Sequence, residues 1–322
     1  DRYGKLRVAT LSLFFAGLSS LACVLAQGVA SLAALRFVTA LFASSATALG
    51  MAYIGDRIAL SERQPVIARF IAGTLIGQAA GPIAGGMVTD LAGWRAALAL
   101  LGAVYIVVAG ILFARTRAQW AQERPVSTPA NVFILYPRIL ASLRVRYVLA
   151  AAIADTSLFF GAYSFLGPFL NVKFGISLSA IGIILAGFGI GGVLYTLVVR
   201  QLLLTLGQRG MVGWGSALCC LCYVLAALWP SWQIALPATI CMGFTYYMLH
   251  NTLQTKATEM APETRGTAVS IYTSTWTLGQ AMGVAAMGVA VEMAGYAPAI
   301  IGFALAFFAF GLWLRNNLHR LS

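Results

Sequence analysis

Charge is what this chain has least of. Of its 322 residues only 9% are charged, and nine side chains in all are acidic. An ordinary soluble domain carries roughly a quarter charged residues, so this sequence cannot build a water-facing shell, and a soluble globular fold is excluded. Histidine occurs twice, and the motifs HExxH, GxSxG and GxxxxGK(S/T) are missing. An intramembrane protease, a hydrolase and an ATP-driven pump therefore lack their reacting parts. The five cysteines, Cys23, Cys219, Cys220, Cys222 and Cys241, are odd in number and lie in apolar stretches without a histidine cluster. They fit small hydrophobes, and neither a metal nor a cofactor is expected.

Hydrophobic residues make up 60% of the chain, and mean hydropathy is +0.86. Apolar runs of about 20 residues, the length that crosses ~30 Å of hydrocarbon, occur at 6–26, 31–54, 66–88, 95–113, 147–170, 178–199, 211–229, 233–252, 267–291 and 297–314. The fold expected is all-α and polytopic, with ten spans. Eighteen of the 21 Lys and Arg residues fall on one set of connectors. The opposite connectors are short and carry only Arg95 and Lys173, and Arg36 lies within a span. The positive-inside rule puts the basic set, and both chain ends, in the cytoplasm. The net charge of +12 then answers anionic lipid headgroups, and no nucleic-acid partner is expected. Residues 114–146, rich in Arg and broken by Pro125, Pro129 and Pro137, read as a cytoplasmic linker with a short surface helix near 134–143. The linker divides 1–113, with four spans, from 147–322, with six.

A shift of 202 positions relates the two sides. It aligns Arg63 with Arg265, Gly77 with Gly279, Gln78 with Gln280, Gly81 with Gly283, Asp90 with Glu292 and Gly93 with Gly295. The offset holds from a cytoplasmic loop through a whole span to the opposite loop, so both copies cross in the same direction, as parallel repeats do. Pairing span three with span nine leaves two spans to be expected ahead of Asp1. Within the first copy, Gly73, Gly77, Gly81 and Gly85 recur every four residues and form one bare row on a helix. A second backbone can approach closely there. Pro82 removes one helical hydrogen bond beside the row and predicts a bend.

These residues resemble the major facilitator superfamily, and within it the twelve-span drug:proton antiporters. The segment Gly77-Gln-Ala-Ala-Gly81-Pro82-Ile-Ala-Gly85-Gly86 is similar to the family's antiporter signature, GxxxGPxxGG, and Gly93-Trp94-Arg95 follows it as in the family. Asp1-Arg2-Tyr3-Gly4-Lys5 resembles the end of the cytoplasmic signature between the family's second and third spans, and Pro262-Glu-Thr-Arg265-Gly266 its second-half loop. Arg36 is similar to the family's intramembrane Arg, with Thr39-Ala40 standing where Gln-Gly is usual. The resemblance implies the family's fold of two helical bundles, here spans three to twelve. It implies a cytoplasmic gate at Asp1, Arg2 and Gly4 with Asp56, a part in proton coupling for Arg36, and a gate built by Gly73, Gly77, Gly81, Pro82, Gly85 and Gly86 with Gly279 and Gly283. It also implies that the glycine-rich stretch 187–192 meets the row across the bundle interface, and that span nine packs against one of the two absent spans.

Asp155 is the one acidic residue well inside a span. A carboxyl there needs a cavity or a partner, which makes it the candidate proton acceptor; neighbouring hydroxyls at Thr156 or Ser157 are the plainer way to satisfy it. The substrate path is expected at Phe159, Tyr163, Tyr246, Tyr247, Asn251, Tyr272, Trp276 and Gln280, polar and aromatic groups within apolar spans. His250, near the cytoplasmic end of span eight, reads as an interfacial residue, with proton or substrate handling as the alternative. The function expected is a secondary transporter: an efflux antiporter exchanging a small, lipophilic molecule for protons. Its partners are that substrate, protons and the lipid bilayer, the proton gradient is its energy source, and it is monomeric when full length, in a bacterial inner membrane. A symporter or facilitator of a sugar, amino acid or other metabolite on the same fold is the first alternative, and a truncated, non-transporting product the second.

Overall fold

Glycine and serine set the helix boundaries. A computed structural model describes residues 4–58, 60–120, 137, 139–260 and 265–321, and among them every regular element is helical. The long helices are α1 (Lys5–Ala22), α2 (Val29–Arg57), α3 (Leu60–Thr116), α4 (Leu143–Phe174), α5 (Leu178–Leu228), α6 (Ala235–Glu259), α7 (Arg265–Ala294) and α8 (Tyr296–Asn317). Helix α4 ends at Gly175 in the left-handed conformation, φ 63°, whose N–H bonds the Asn171 carbonyl at 2.8 Å. Two residues on, the Ser177 hydroxyl accepts from Ala180 N–H and starts α5.

Among the described residues, seven helices are long and apolar enough to cross a membrane. Two of these contain a break: α3 at Gly93 (φ 83°, ψ 164°) and α5 at Gly207 (φ 62°, ψ 174°). Only glycine adopts such angles without strain. At 1.5 Å per residue, a straight α3 of 57 residues would reach about 85 Å, nearly three times a hydrocarbon core, so a break is required. The helix stays regular through Pro82, where a bend was expected, and departs from helical angles at Gly93 instead. Gly295, at the 202-residue shift from Gly93, starts α8 with φ 82° and ψ 171°. Helix α6 falls outside the seven because Thr239, Thr245, Tyr246, Tyr247, His250 and Asn251 dilute its hydropathy.

The chain forms two compact units, residues 1–76 with 84–130, and residues 77–83 with 131–322. In the first, α1 and the 94–116 part of α3 touch where Gly17 faces Gly102, and a Cβ on either would press on the other's backbone. Hydroxyls bind the helices to one another: Ser20 donates to the Leu98 carbonyl at 2.9 Å and Ser19 to that of Leu35 at 2.9 Å. In the second unit α4 packs on α7 and α8, and α5 on α6 and α8. Gly191 on α5 lies against the Ile240 carbonyl of α6, and Gly243 on α6 against the Phe188 carbonyl of α5. Small residues let backbones approach where no hydrophobic force draws helices together in lipid. Phe159, Leu166, Tyr223 and Phe307 fill the centre of this unit. Large apolar side chains such as Leu197, 73% exposed, and Leu204, 78% exposed, face outward, as lipid contact demands and water would not allow.

Candidate functional site

The site lies in the second unit and begins with Asp155 on α4, which is fully buried. Its Oδ2 lies 2.7 Å from Nδ1 of His250 on α6. One turn earlier on α6, the Tyr246 hydroxyl is 3.3 Å from the same carboxylate oxygen and 3.2 Å from the same ring nitrogen. Trp276 on α7 donates its indole N–H to the Tyr246 hydroxyl at 3.4 Å. The i, i+4 spacing of Tyr246 and His250 puts both on one face of α6, and their rings stack at 5.1 Å. With an ionised Asp155, the Nδ1–H of His250 donates to Oδ2, leaving Nε2 as the ring nitrogen Asp155 does not engage. Asp155 Oδ1 has no hydrogen-bond partner among the described residues, which leaves the carboxyl a free oxygen for a proton.

The hydroxyls beside Asp155 do not satisfy it. Thr156 lies 3.0 Å from the Trp276 carbonyl and Ser157 2.7 Å from the Gly279 carbonyl, so both join α4 to α7. Gly279 and Gly283 make that approach possible, since a Cβ at 279 would meet Thr156 and one at 283 the backbone of Ser157. Span nine therefore packs on α4 through this pair of glycines.

A cavity of about 260 Å³ opens beside the pair. Phe160, Tyr163, Phe188, Tyr246, Tyr247 and Trp276 give it aromatic walls, and His250, Gln78 and Gln280 its other polar edges. Five of the eight expected path residues are there. The other three are not. Phe159, one residue from Phe160 and so turned about 100° around the helix, is fully buried in the core, 4.2 Å from Tyr246 between ring centroids. Asn251 donates to the Tyr195 hydroxyl at 3.0 Å. Tyr272 is buried with its ring 6.4 Å from His250. His250, expected at an interface, is instead 8% exposed and joined to Asp155. A buried imidazole needs a partner, and in this sequence the one acid within a span was the available one.

Residues 77–83 belong to this same unit. Gly189 of α5 faces Ala79, and Gly182 faces the Pro82 carbonyl, so part of the glycine-rich stretch 187–192 meets this segment as expected. The contact does not use the glycine row: a Cβ built at Gly73, Gly77, Gly81 or Gly85 meets nothing within 4 Å. Ala79 and Pro82 lie two and one residues off the row, on another face of the helix, and Gly86 is half-buried. Arg36 belongs to the first unit, beside a cavity of about 400 Å³ with Thr39, Ser44 and Tyr105. Gly4 precedes α1 with φ 81°. Asp1, Arg2 and the Asp56 side chain lie outside the described residues.

The family model of the Major Facilitator Superfamily matches residues 1–284 and again 148–320. The chain belongs to the major facilitator superfamily. Among curated proteins, the efflux pump FUB11 of Gibberella fujikuroi is 35% identical over 95 residues, which cover 30% of this chain and 17% of the pump. The 4-hydroxybenzoate transporter PcaK of Pseudomonas aeruginosa is 32% identical over 156 residues, 47% of this chain and 31% of that transporter. The matched stretches thus span less than a third of either relative. Among solved structures, a bacterial homolog of the human lysosomal transporter Spinster, inward-facing and unoccupied, has a TM-score of 0.75 at 17% identity, covering 100% of this chain and 85% of its own. The peptide transporter POT has a TM-score of 0.74 at 13% identity, covering 99% and 80%. At such identities the likeness is one of fold, that of a multi-pass helical membrane protein of the superfamily.

Proposed function

We propose that this superfamily member is a secondary transporter, an antiporter that exports a small, lipophilic molecule in exchange for protons by alternating access. The observation that carries this reading is the buried Asp155–His250 contact of 2.7 Å at the wall of an aromatic cavity. Across that hydrogen bond the pair holds one proton as either of two tautomers, ion pair or neutral. Gaining or losing a proton changes its net charge by one, and a net charge in so apolar a place is costly. Charge on the pair and occupancy of the cavity next to His250 therefore compete, which is what exchange requires.

The same proposal has ten crossings: α3 spans on each side of Gly93, α5 on each side of Gly207, and α6 spans despite its polar face. The two bundles are parallel repeats, supported by the matching backbone angles of Gly93 and Gly295. Arg36 assists proton coupling, the 73–86 segment closes the outward side, and Gly4 with Arg2, Asp1 and Asp56 closes the inward one. A second reading, uptake of a small aromatic acid with protons, is favoured by the similarity to the 4-hydroxybenzoate transporter. Vesicle transport separates the two: an inward-acid gradient that drives substrate accumulation overturns antiport, and one that drives substrate out supports it.

A further inference from the structure

Gln78 and Gln280 are the same position of the repeat, 202 residues apart, and both line the one cavity beside His250. We infer that these two glutamines are the paired polar contacts that orient the transported molecule, and that this molecule is a small planar aromatic, uncharged when bound, with hydrogen-bonding substituents on its ring. This rests on the reading of the cavity as the transport site.

Size comes first. A cavity of about 260 Å³ lies below the roughly 300–1,000 Å³ that drug-sized ligands occupy, so it suits one or two rings. Its walls are aromatic, with Phe160 edge-on to both Tyr246 and Trp276 at 5.4 and 5.7 Å. Such surfaces accept a flat ring by stacking or edge contact. Among the described residues no Lys, Arg, Asp or Glu lines the cavity; Asp155 stands behind His250 and Tyr246, fully buried and engaged by both. The titratable groups facing the pair are Tyr246 on α6 and Tyr272 on α7, with Cys219 on α5. A permanently charged ligand would thus find no fixed counter-ion in the wall, only whatever charge the Asp155–His250 pair itself carries, and would lose more in desolvation than about 0.5–2 kcal/mol of cation–π attraction returns.

Polarity then falls to the glutamines. Each carboxamide offers two donors and an acceptor, and that of Gln280 makes no hydrogen bond to any described residue. The Gln78 side chain already meets the Tyr247 hydroxyl, so the unmet demand is that of Gln280: an uncharged ligand with donors and acceptors of its own satisfies it, and an apolar one leaves it bare.

The test is binding to the purified protein in detergent, with no proton gradient. The probes are 4-hydroxybenzamide, its anionic analogue 4-hydroxybenzoate and the permanent cation benzyltrimethylammonium. The amide is expected to bind at least 10-fold tighter than either ion, and Gln78→Leu and Gln280→Leu each to weaken it about 10-fold. Gln280→Asn, which keeps the carboxamide and withdraws it by one methylene, is expected to show the same loss with a wild-type melting curve. Failure of the wild type to bind the amide, equal binding of an ion, or unchanged amide binding by the three variants would overturn the inference. Loss of pH-driven flux in vesicles with amide binding intact would overturn proton coupling alone.

Discussion

Replacing Asp155 by Asn keeps the shape of the site and removes its acid. The carboxamide oxygen accepts from His250 Nδ1–H where Oδ2 did, at a contact now 2.7 Å long. Hydrogen bonds to a charged group contribute about 1.5–3 kcal/mol and neutral ones about 1 kcal/mol, so the exchange costs about 1–2 kcal/mol of stability and leaves insertion intact. Its effect on energy coupling is total. Each pH unit across the membrane stores about 1.4 kcal/mol per proton; two units, at one proton per substrate, sustain a substrate ratio of about 100-fold. In proteoliposomes with that gradient, wild-type protein is expected to approach this ratio and Asp155→Asn to stay near one. Equilibrium counterflow, which moves no net protons, should persist in the variant. A pH-driven gradient of wild-type size in Asp155→Asn would refute the assignment of this carboxyl.

Three further outcomes follow from the geometry. His250→Gln should leave counterflow in place while moving or flattening the pH dependence of net transport, because Asp155 loses the group with which it shares a proton. Gly283→Leu should lower thermal stability by about 1–3 kcal/mol, since its side chain must displace the Ser157 backbone, whereas Gly81→Leu, with nothing within 4 Å, should melt like wild type; the two melting curves decide it. Gly295→Ala should cost about 1–3 kcal/mol in denaturation assays because φ 82° lies where L side chains are strained.

Helical membrane architecture was legible in the sequence because lipid imposes it directly: only long apolar helices satisfy their own backbones in hydrocarbon. The superfamily was legible through the Gly77–Gly86 segment, whose spacing is a local property. The cavity was legible residue by residue but not in its rotation. Phe159 and Phe160 are chemically identical, and neighbouring helices alone decide which of them faces a space. His250 reads as interfacial in the sequence for a related reason: its partner lies 95 positions away, and the depth of an imidazole in a bilayer cannot be read from its place in an apolar run. The glycine row shows the converse. Its spacing states that a backbone can come close, while the contact at this segment runs through Ala79 and Pro82 on another face.

Asp155, Thr156 and Ser157 are consecutive, yet the first bonds to α6 and the next two to α7. With hydroxyls tied to carbonyls at 3.0 and 2.7 Å, α4 and α7 have little freedom to slide past one another. They form one stiff plate carrying the acid on one member and Trp276 and Gln280 on the other. Movement that opens or shuts the cavity then falls to the seam with α6, where the polar ties beside the cavity run through Tyr246 and His250, with Arg144 of α4 3.8 Å from Glu259 at the far end of α6. Under the proposed proton exchange, a proton arriving at Asp155 acts on this seam, and the strength with which the plate grips α6 depends on how many protons the pair holds.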